Sequence, residues 1–581
     1  MFLGVPTRMA RILTQAIGLD GYRHPNSSRK MQVIDDLLCD DDRVPLALPD
    51  GRAVGEGALH FAADEAAREC YRICAEVATV DAIKIAIGIT CRRRGIKLPV
   101  GHNDAEIIAR AVDRGWWFRN LKREHIRRFE HTSIQIGTTG MTHDPYISRE
   151  AALRQRQWNA DNQKLLESKV LENEQGDQFT LAELAAKGTG NKTIRRGELM
   201  LRIRGFEEIA DTLKHAAMFW TITCPSKYHA QGGKNAKYEG ATPREAQAYL
   251  SKSWARMRAA FKRAGIMPYG FRIAEPHSDG CPHWHMLFFV DPAQVEAMTA
   301  IINKYALAED GDEKGAQENR VKLVRIEAGK GTAAGYIAKY VSKNIDGAGV
   351  GDHKSFEDGR TYTVGNDMFG NQEITPSERV TYWSQVHGIR QFQQIGGAPV
   401  TVWREFRRLT ADAIVHAPAE IQEAYHACQK VVSDDPAIAK QASFAAYVMA
   451  QGGVNVGRRY KMRIAYEPVT VTGKYATYET DKPLGIYAVS EPDVIYKSVR
   501  YSWTPVEKAE AVAVPWTGVN NCTQINRLTG FQVGTGHWMK AKTAEKNKIF
   551  SSEWSEEFKR YRIGDHEFDY ERYKRLFGSG H

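Results

Sequence analysis

Hydrophobic residues recur at three- and four-residue steps from about residue 57 to residue 130, with charged residues between them. This period predicts amphipathic helices. Ser148 and Thr180 each precede a glutamate within three residues, which is a signal for the start of a further helix. With one more helical stretch at about 194–214, we expect residues 57–214 to be a helical region.

The period changes after residue 214. Runs of aromatic and β-branched residues predict four strands: Met218–Pro225, Gly270–Glu275, His283–Val290 and Asn319–Glu327. Helical patterns predict three helices between and after them: Pro243–Ala264, Pro292–Ala306 and Ala333–Asn344. This order predicts an α+β fold, in which an antiparallel sheet carries helices on one side.

Beyond residue 345 the chain is rich in glycine and aspartate to about 375, then helical at about 376–386. Residues 400–450 have a helical pattern, and residues 459–503 have a strand-like one. We therefore divide the chain into a mostly helical N-terminal region, a helical lead-in, an α+β domain, a mixed helical and β-rich region and a charged tail: 1–140, 141–214, 215–395, 396–540 and 541–581.

Composition narrows the class of protein only slightly. A net charge of +10 on 581 residues modestly favours a polyanionic partner. The eight cysteines are scattered without CxxC spacing, which favours a reducing cytosol over a disulfide framework. No apolar run approaches the length of a transmembrane helix, so we expect none.

Two tryptophans, Trp116 and Trp117, precede a cluster of basic residues between Arg119 and Arg128. Such a pair could stack on nucleic-acid bases. It could equally anchor a helix in a hydrophobic core while the charged side chains remain solvated. The pattern favours the core interpretation.

A hairpin at 275–290 is the first candidate site. His283 and His285 flank Trp284, so on a strand the two imidazoles project from one face and the indole from the other. Glu275 ends the preceding strand, and the turn brings it opposite the histidines. Two nitrogens and one carboxylate suit Mg²⁺ or Mn²⁺ acting as a Lewis acid.

Other interpretations of this hairpin remain open. His277 and Asp279 are alternative third ligands, although they lie in the turn and not on a strand. The two histidines could also be partly buried structural residues, because a His-x-His pair alone is a weak signal.

The second candidate site is the helix predicted at Ala333–Asn344. Tyr336 and Tyr340 are four residues apart and share a face, and Lys339 and Lys343 form a parallel pair on an adjacent face. A tyrosine hydroxyl, with an ordinary pKa near 10, becomes a nucleophile only with help from a metal or a cation. Tyrosines at this spacing are also common as packed aromatics.

The order of these motifs resembles the HUH endonuclease superfamily, the nicking proteins of rolling-circle replication. Its first, His-hydrophobic-His and tyrosine motifs resemble the segments that begin at Phe219, Pro282 and Tyr336. The two-tyrosine form, with Lys339 between, resembles the replication gene A proteins of P2-like bacteriophages. Segments that begin at Tyr146, Leu181, Arg195, Ala338 and Val402 are also similar to that family.

The resemblance implies a five-stranded antiparallel sheet and a rolling-circle initiator in a bacterial host cytoplasm. On this resemblance, the substrate is origin DNA in single-stranded or supercoiled form, and the protein nicks one strand of it. A tyrosine becomes joined to the 5′-phosphate at the nick, and the free 3′-OH primes synthesis. His283 and His285 are implied as metal ligands together with Glu275, and Tyr336 and Tyr340 as alternating nucleophiles that cut and rejoin DNA.

The resemblance also implies that Lys339 and Lys343 stabilise the phosphate or the phenolate. The chain contains no GxxxxGK[ST] motif, so we expect a replicative or accessory helicase of the host to unwind the DNA.

Two other classes of function remain open on the sequence alone. One is an HUH transposase or relaxase, although relaxases usually place the tyrosine before the histidines and single-strand transposases are much shorter. The other is a non-catalytic DNA-binding protein whose histidines are structural. Nicking and covalent attachment to DNA separate the catalytic classes from the last.

Overall fold

The structure is a computed structural model, and it describes residues 43–44, 46, 55–141, 143–326, 332–345, 353–354, 361–362, 374–430 and 441–506. The chain begins its described part with five helices that precede the first strand: α1 (Glu56–Glu76), α2 (Val80–Arg93), α3 (Asp104–Ala111), α4 (Arg114–Gln135) and α5 (Arg149–Ser168). Two short strands and two helices follow: β1 (Val170–Asn173), β2 (Gln178–Thr180), α6 (Leu181–Ala186) and α7 (Lys192–Leu213).

The central part of the chain alternates strands and helices: β3 (Ala216–Ile222), α8 (Pro243–Arg263), β4 (Tyr269–Pro276), β5 (Pro282–Val290), α9 (Val295–Ala306), α10 (Ala316–Asn319), β6 (Val321–Ile326) and α11 (Ala333–Ile345). A two-residue strand pair follows, β7 (His353–Lys354) and β8 (Thr361–Tyr362), and then α12 (Pro376–His387) and β9 (Phe392–Ile395).

The remaining elements are three helices and four strands: α13 (Val400–Phe406), α14 (Ala419–Cys428), α15 (Phe444–Ala450), β10 (Met462–Thr472), β11 (Thr477–Ala488), β12 (Glu491–Lys497) and β13 (Trp503–Val506). No helix in these described ranges has the length and apolar composition that crossing a membrane requires.

A five-stranded antiparallel sheet forms the centre, in the order β6-β3-β5-β4-β9. This confirms the predicted α+β class, the five-stranded antiparallel sheet and the helical N-terminal region. Helices around the sheet begin where the sequence supplies caps. Thr242 with Glu245 forms a capping box on α8, and Thr375 with Glu378 forms one on α12, each with proline at the first helical position.

Helices cover both faces of the sheet, so the expectation of helices on one side was wrong. Phe219, Phe271 and Leu287 pack on one face with residues of α7 and α11. Trp220 and Trp284 pack on the other face with residues of α8, α9 and α12. Both faces of β4 and β5 are consequently buried along their whole length, which a strand can satisfy only when apolar residues occupy most positions on both sides.

Three sets of strands in the described part of the chain were missing from the sequence prediction: β7 with β8, the edge strand β9, and β1 with β2. The edge strand β9 pairs with β4 from Phe392 opposite Ile273 to Ile395 opposite Gly270. The strands β1 and β2 interrupt the region predicted to be helical, and β13 completes their sheet. The pairings of β9 with β4 and of β1 with β13 join segments that are distant in sequence, which a local pattern does not contain.

The tryptophans before the basic cluster belong to the N-terminal core. Trp117 is fully buried, and its indole nitrogen donates to the carbonyl of Ala111 at 2.6 Å. Trp116 packs against the same hydrophobic cluster. The core interpretation of this pair is therefore the correct one.

Candidate functional site

The hairpin of β4 and β5 brings the three predicted metal ligands together. Glu275 is directly opposite His283 in the register of the two strands, and His285 is two residues further along β5. The turn between the strands places Gly280 at φ 80°, a conformation that glycine adopts without steric cost. All three ligand side chains are buried, with 1%, 7% and 8% of the surface of Glu275, His283 and His285 exposed.

The distances between these side chains fit one metal ion. The Nε2 atoms of His283 and His285 are 3.0 Å apart, and the Oε2 atom of Glu275 is 3.9 Å from the Nε2 atom of His285. One ligand atom from each residue lies within 4.8 Å of the others. Two bonds of about 2.1 Å that meet at a right angle end about 3 Å apart, so the two nitrogens fit adjacent positions around one octahedral ion.

Residues around the cluster fix the direction of its ligands. The hydroxyl of Thr221 on β3 lies 3.0 Å from Nδ1 of His285, which leaves Nε2 facing the cluster. The side-chain amide of Asn344 on α11 donates to Oε1 of Glu275. Hydrogen bonds to the far side of a ligand orient it and raise its affinity for metal.

The two alternative third ligands are placed differently. Asp279 accepts hydrogen bonds at 3.1 Å from the backbone nitrogens of Gln231 and Cys281, and it forms an ion pair with His229 at 3.3 Å. His277 packs beside His283, with ring centroids 4.1 Å apart. The structure groups Glu275 with the two histidines and leaves these two residues outside that group.

The two tyrosines of α11 lie over the same face of the sheet. Tyr340 packs on His285 with ring centroids 4.4 Å apart. The ring centroids of Tyr336 and Tyr340 are 6.2 Å apart. Both rings contact Phe219 on β3, at 4.7 Å and 5.5 Å. The tyrosines are only partly buried, so the same packing that holds them leaves part of each ring open.

The charge environment of Tyr340 disfavours a phenolate in the absence of a cation. Burial raises the pKa of Tyr340 above its ordinary value, and Tyr336 and Glu275 raise it further. Lys339 and Lys343, predicted as stabilising cations, lie on α11, but their side chains are outside the described part of the structure.

Sequence reasoning did not identify Thr221, Asn344 and Gln391, the residues that support the cluster. Asn344 had a signal, because it is four residues after Tyr340 and therefore on the same face of the helix. Thr221 is directly opposite His285 in the sheet, and this becomes visible only with the strand pairing. Gln391, which donates to Asn344 at 2.9 Å, precedes the edge strand that the pattern did not predict.

Comparisons with known proteins give one family. The family described as "Bacteriophage replication gene A protein (GPA)" matches residues 54–348, about half of the chain. The replication gene A protein of Escherichia phage 186 is 37% identical over 440 residues, which cover 72% of this chain and 60% of that protein. The protein of the same name from Escherichia phage P2 is 35% identical over 450 residues, 73% of this chain and 55% of that protein.

A probable replication endonuclease from a prophage-like region of Salmonella paratyphi A is also similar, with 33% identity over 480 residues, 79% of this chain and 57% of that protein. The chain spans about 60% of the length of the curated relatives it matches. No solved structure matches it significantly. On the strength of the matched half and these relatives, the chain belongs to the family of bacteriophage replication gene A proteins.

Proposed function

We propose that the chain is a rolling-circle replication initiator that nicks one strand of DNA at a phage origin and later rejoins it. The single observation that carries the proposal is the contact of Tyr340 with His285, which joins a nucleophile to a candidate metal cluster. The names of the relatives, replication gene A protein and probable replication endonuclease, support the same role. This is the activity that resemblance to the HUH endonuclease superfamily implies.

The proposed reaction exchanges one phosphoester bond for another. The phenolic oxygen of Tyr336 or Tyr340 attacks the phosphorus of the DNA backbone, and the bond from phosphorus to the 3′ oxygen breaks. The phenolic proton passes to solvent and the departing 3′ oxygen is protonated. The products are a 5′-phosphotyrosine link and a 3′-OH primer, and attack by a 3′-OH on the link reverses the step and rejoins DNA.

In this proposal the residues of the site have separate roles in metal binding and in positioning the nucleophiles. Glu275, His283 and His285 would hold Mg²⁺ or Mn²⁺, which supplies Lewis-acid polarisation of a phosphate oxygen. Phe219 packs beside both tyrosines and holds them against the sheet. Positioning of this kind can supply several kcal/mol of the barrier reduction, since a fixed nucleophile no longer has to find its target.

Two neighbouring tyrosines allow the cut and the rejoining to alternate. While one tyrosine carries the parental 5′ end, the other, with its ring centroid 6.2 Å away, can cut the next unit. The substrate in this scheme is single-stranded or supercoiled origin DNA. A replicative or accessory helicase of the host unwinds the DNA, and replication takes place in the host cytoplasm.

An adduct assay tests the proposal. The chain is incubated with supercoiled plasmid carrying phage origin DNA, or with single-stranded DNA, plus Mg²⁺ or Mn²⁺, and the products are separated under denaturing conditions. We expect nicked DNA and a protein band shifted by covalent DNA, both abolished by EDTA.

Matched variants assign the two parts of the site. Tyr336→Phe together with Tyr340→Phe should abolish the adduct, whereas Tyr305→Phe on α9, across the sheet, should leave it unchanged. His283→Ala should remove metal-dependent cleavage, and His426→Ala at an exposed position should not.

The alternative functions give different results in the same assay. A transposase or relaxase would form the adduct and transfer the bound strand to a different DNA end. A non-catalytic DNA-binding protein would shift DNA in a native gel without nicking it. Absence of both nick and adduct on origin DNA with either metal would contradict the proposal.

A further inference from the structure

A cavity of about 310 Å³ lies beside the candidate metal cluster, at the β9 edge of the sheet. Phe392 in its lining is opposite Ile273, and Ile273 is opposite His285, so the cavity opens on the face of the sheet that carries the cluster. Two strand spacings, about 10 Å, separate β9 from β5. The volume lies at the lower end of the range of about 300–1,000 Å³ that is typical of ligand pockets.

The lining carries an excess of positive charge. Arg195 and Arg202 come from α7, Arg390 from the segment before β9, and Arg404 from α13. Among the described lining residues the one carboxylate is that of Glu198, whose two oxygens accept from Arg404 at 2.8 and 2.6 Å. It also pairs with Arg202 at 3.4 Å. In the described part of the lining, four guanidinium groups are therefore accompanied by a single carboxylate, which is already paired with Arg404 and Arg202.

Two of these arginines have no anionic partner among the described residues. Arg195 and Arg390 form no ion pair with any residue that the structure describes. The Nε atom of Arg195 is buried without a hydrogen-bond partner in the same part of the chain. Burying a charged donor without an acceptor costs free energy, which an anionic ligand would recover.

Repulsion between the cations adds to this cost. Burial lowers the pKa of Arg202 to about 10, and Arg404 and Arg390 act in the same direction against the attraction of Glu198. Burial also lowers the pKa of Arg195. Both shifts are the response expected of guanidinium groups that are withdrawn from water, and for Arg202 also placed near one another, without enough negative charge.

Hydrogen bonds connect the cavity to the metal cluster. Gln391, in the lining, donates to Asn344 at 2.9 Å, and Asn344 donates to Glu275. Because only about 10 Å separates β9 from β5, a DNA strand whose phosphate lies at the cluster would bring a neighbouring nucleotide to the cavity. The anionic groups of a DNA strand are its phosphodiesters. A planar guanidinium group can donate two parallel hydrogen bonds to the oxygens of one phosphodiester.

We propose that the arginine cavity binds a backbone phosphate of the same DNA strand that is cut at the metal cluster. This inference rests on the proposed nicking function and adds to it a specific phosphate subsite. The cavity would hold the strand in register so that the scissile phosphate meets Tyr336 or Tyr340.

Binding of a fluorescein-labelled single-stranded oligonucleotide tests the subsite. The measurement uses the Tyr336→Phe, Tyr340→Phe background, so that no covalent adduct forms, at salt concentrations between about 50 and 200 mM. Arg195→Gln should raise the Kd for the oligonucleotide about tenfold, because it removes one charge-assisted hydrogen bond to a phosphate. It should also reduce the slope of log Kd against log salt by about 0.7. Arg390→Gln, at an exposed position where folding is little affected, should act in the same direction.

The matched control is Arg204→Gln, which removes the same charge from an exposed position of α7. It should change Kd less than about twofold, because Arg204 is not among the described residues that line the cavity and its charge is screened by solvent and by Glu208. Oligonucleotides with one methylphosphonate at successive positions add a direct test. A methylphosphonate at one particular position should weaken binding by the chain that retains Arg195. The same oligonucleotide should bind to the Arg195→Gln variant as tightly as the unmodified oligonucleotide does.

The outcomes separate the subsite from the function. If Arg195→Gln and Arg390→Gln bind as Arg204→Gln does, while the unmodified chain still nicks DNA, the cavity proposal is overturned and the nicking function stands. If the unmodified chain neither binds nor nicks DNA, both proposals fail.

Discussion

Asn344 joins the tyrosine helix to the candidate metal cluster through Glu275. Its side-chain nitrogen donates to the carboxylate of Glu275, and the same nitrogen donates to the backbone carbonyl of Tyr340 at 2.6 Å. The side chain is fully buried, and its oxygen accepts from Gln391 at 2.9 Å. One amide thus fixes the position of a candidate ligand relative to a candidate nucleophile.

Loss of this amide should weaken metal binding. Asn344→Ala removes the donor that orients Glu275, so the apparent Kd for Mn²⁺ in the cleavage assay should rise about 10- to 100-fold. Asn303→Ala on α9, across the sheet, is the control and should leave it unchanged. Cleavage that falls at every Mn²⁺ concentration, with the same apparent Kd, would indicate a packing defect in place of a positioning role.

Thr221 offers a second test of ligand orientation. Thr221→Val keeps the shape of the side chain and removes the hydroxyl that meets Nδ1 of His285. The apparent affinity for Mn²⁺ should fall about 10- to 100-fold, and Thr221→Ser should retain most of it because the hydroxyl remains. Equal metal titrations for the valine and serine variants would refute this role.

Gly205 allows α7 and α15 to approach closely. A Cβ atom at this position would lie 2.8 Å from the Cβ of Phe444 and 2.9 Å from the backbone nitrogen of Ala445. Gly205→Ala should therefore lower the free energy of unfolding by about 1–3 kcal/mol. Gly197→Ala on the same helix meets nothing within 4 Å and should raise it by about 0.5–1 kcal/mol. Urea unfolding of both variants measures whether the free energy of unfolding falls for Gly205→Ala and rises for Gly197→Ala.

His387 should make stability depend on pH. Burial, and after it Arg127, Arg244 and His131, lowers the pKa of His387 to about 3, so its ring is neutral in the folded chain. The unfolded chain takes up a proton near pH 6.5. Stability from this group is therefore present above about pH 6.5 and falls below it by up to about 1.4 kcal/mol per pH unit.

Urea unfolding at pH 7.5, 6.5 and 5.5 measures this slope. His387→Phe should remove this component of the slope, whereas His426→Phe at an exposed position should leave it in place. The same slope in the unmodified chain and in His387→Phe would contradict the assignment.

Sequence reasoning was most successful where one local pattern determines the geometry. The alternation of His283, Trp284 and His285 on a strand places the two imidazoles on one face, and the indole is buried in the opposite core. Likewise, the spacing of Tyr336 and Tyr340 places both rings against Phe219. In each case the period of the element alone decides which side chains share a face.

The parts that the sequence did not predict depend on contacts between distant segments. Phe392–Ile395 is short and glutamine-rich, and it is a strand because β4 offers an unpaired edge. Residues on both sides of β4 and β5 are buried, and the apolar run Met286–Val290 of β5 is consistent with that, yet the helices were expected on one side only. The arginine cavity likewise joins Arg195 to Arg404, which are more than 200 positions apart in the chain.

The most direct test of the central claim is mass spectrometry of the trapped protein–DNA adduct after digestion with trypsin and nuclease. We expect a nucleotide attached through its 5′-phosphate to Tyr336 or Tyr340, formed only when a divalent metal is present. A nucleotide attached to any other residue, linkage through a 3′-phosphate, or an adduct that forms equally in EDTA would contradict the proposed tyrosine mechanism.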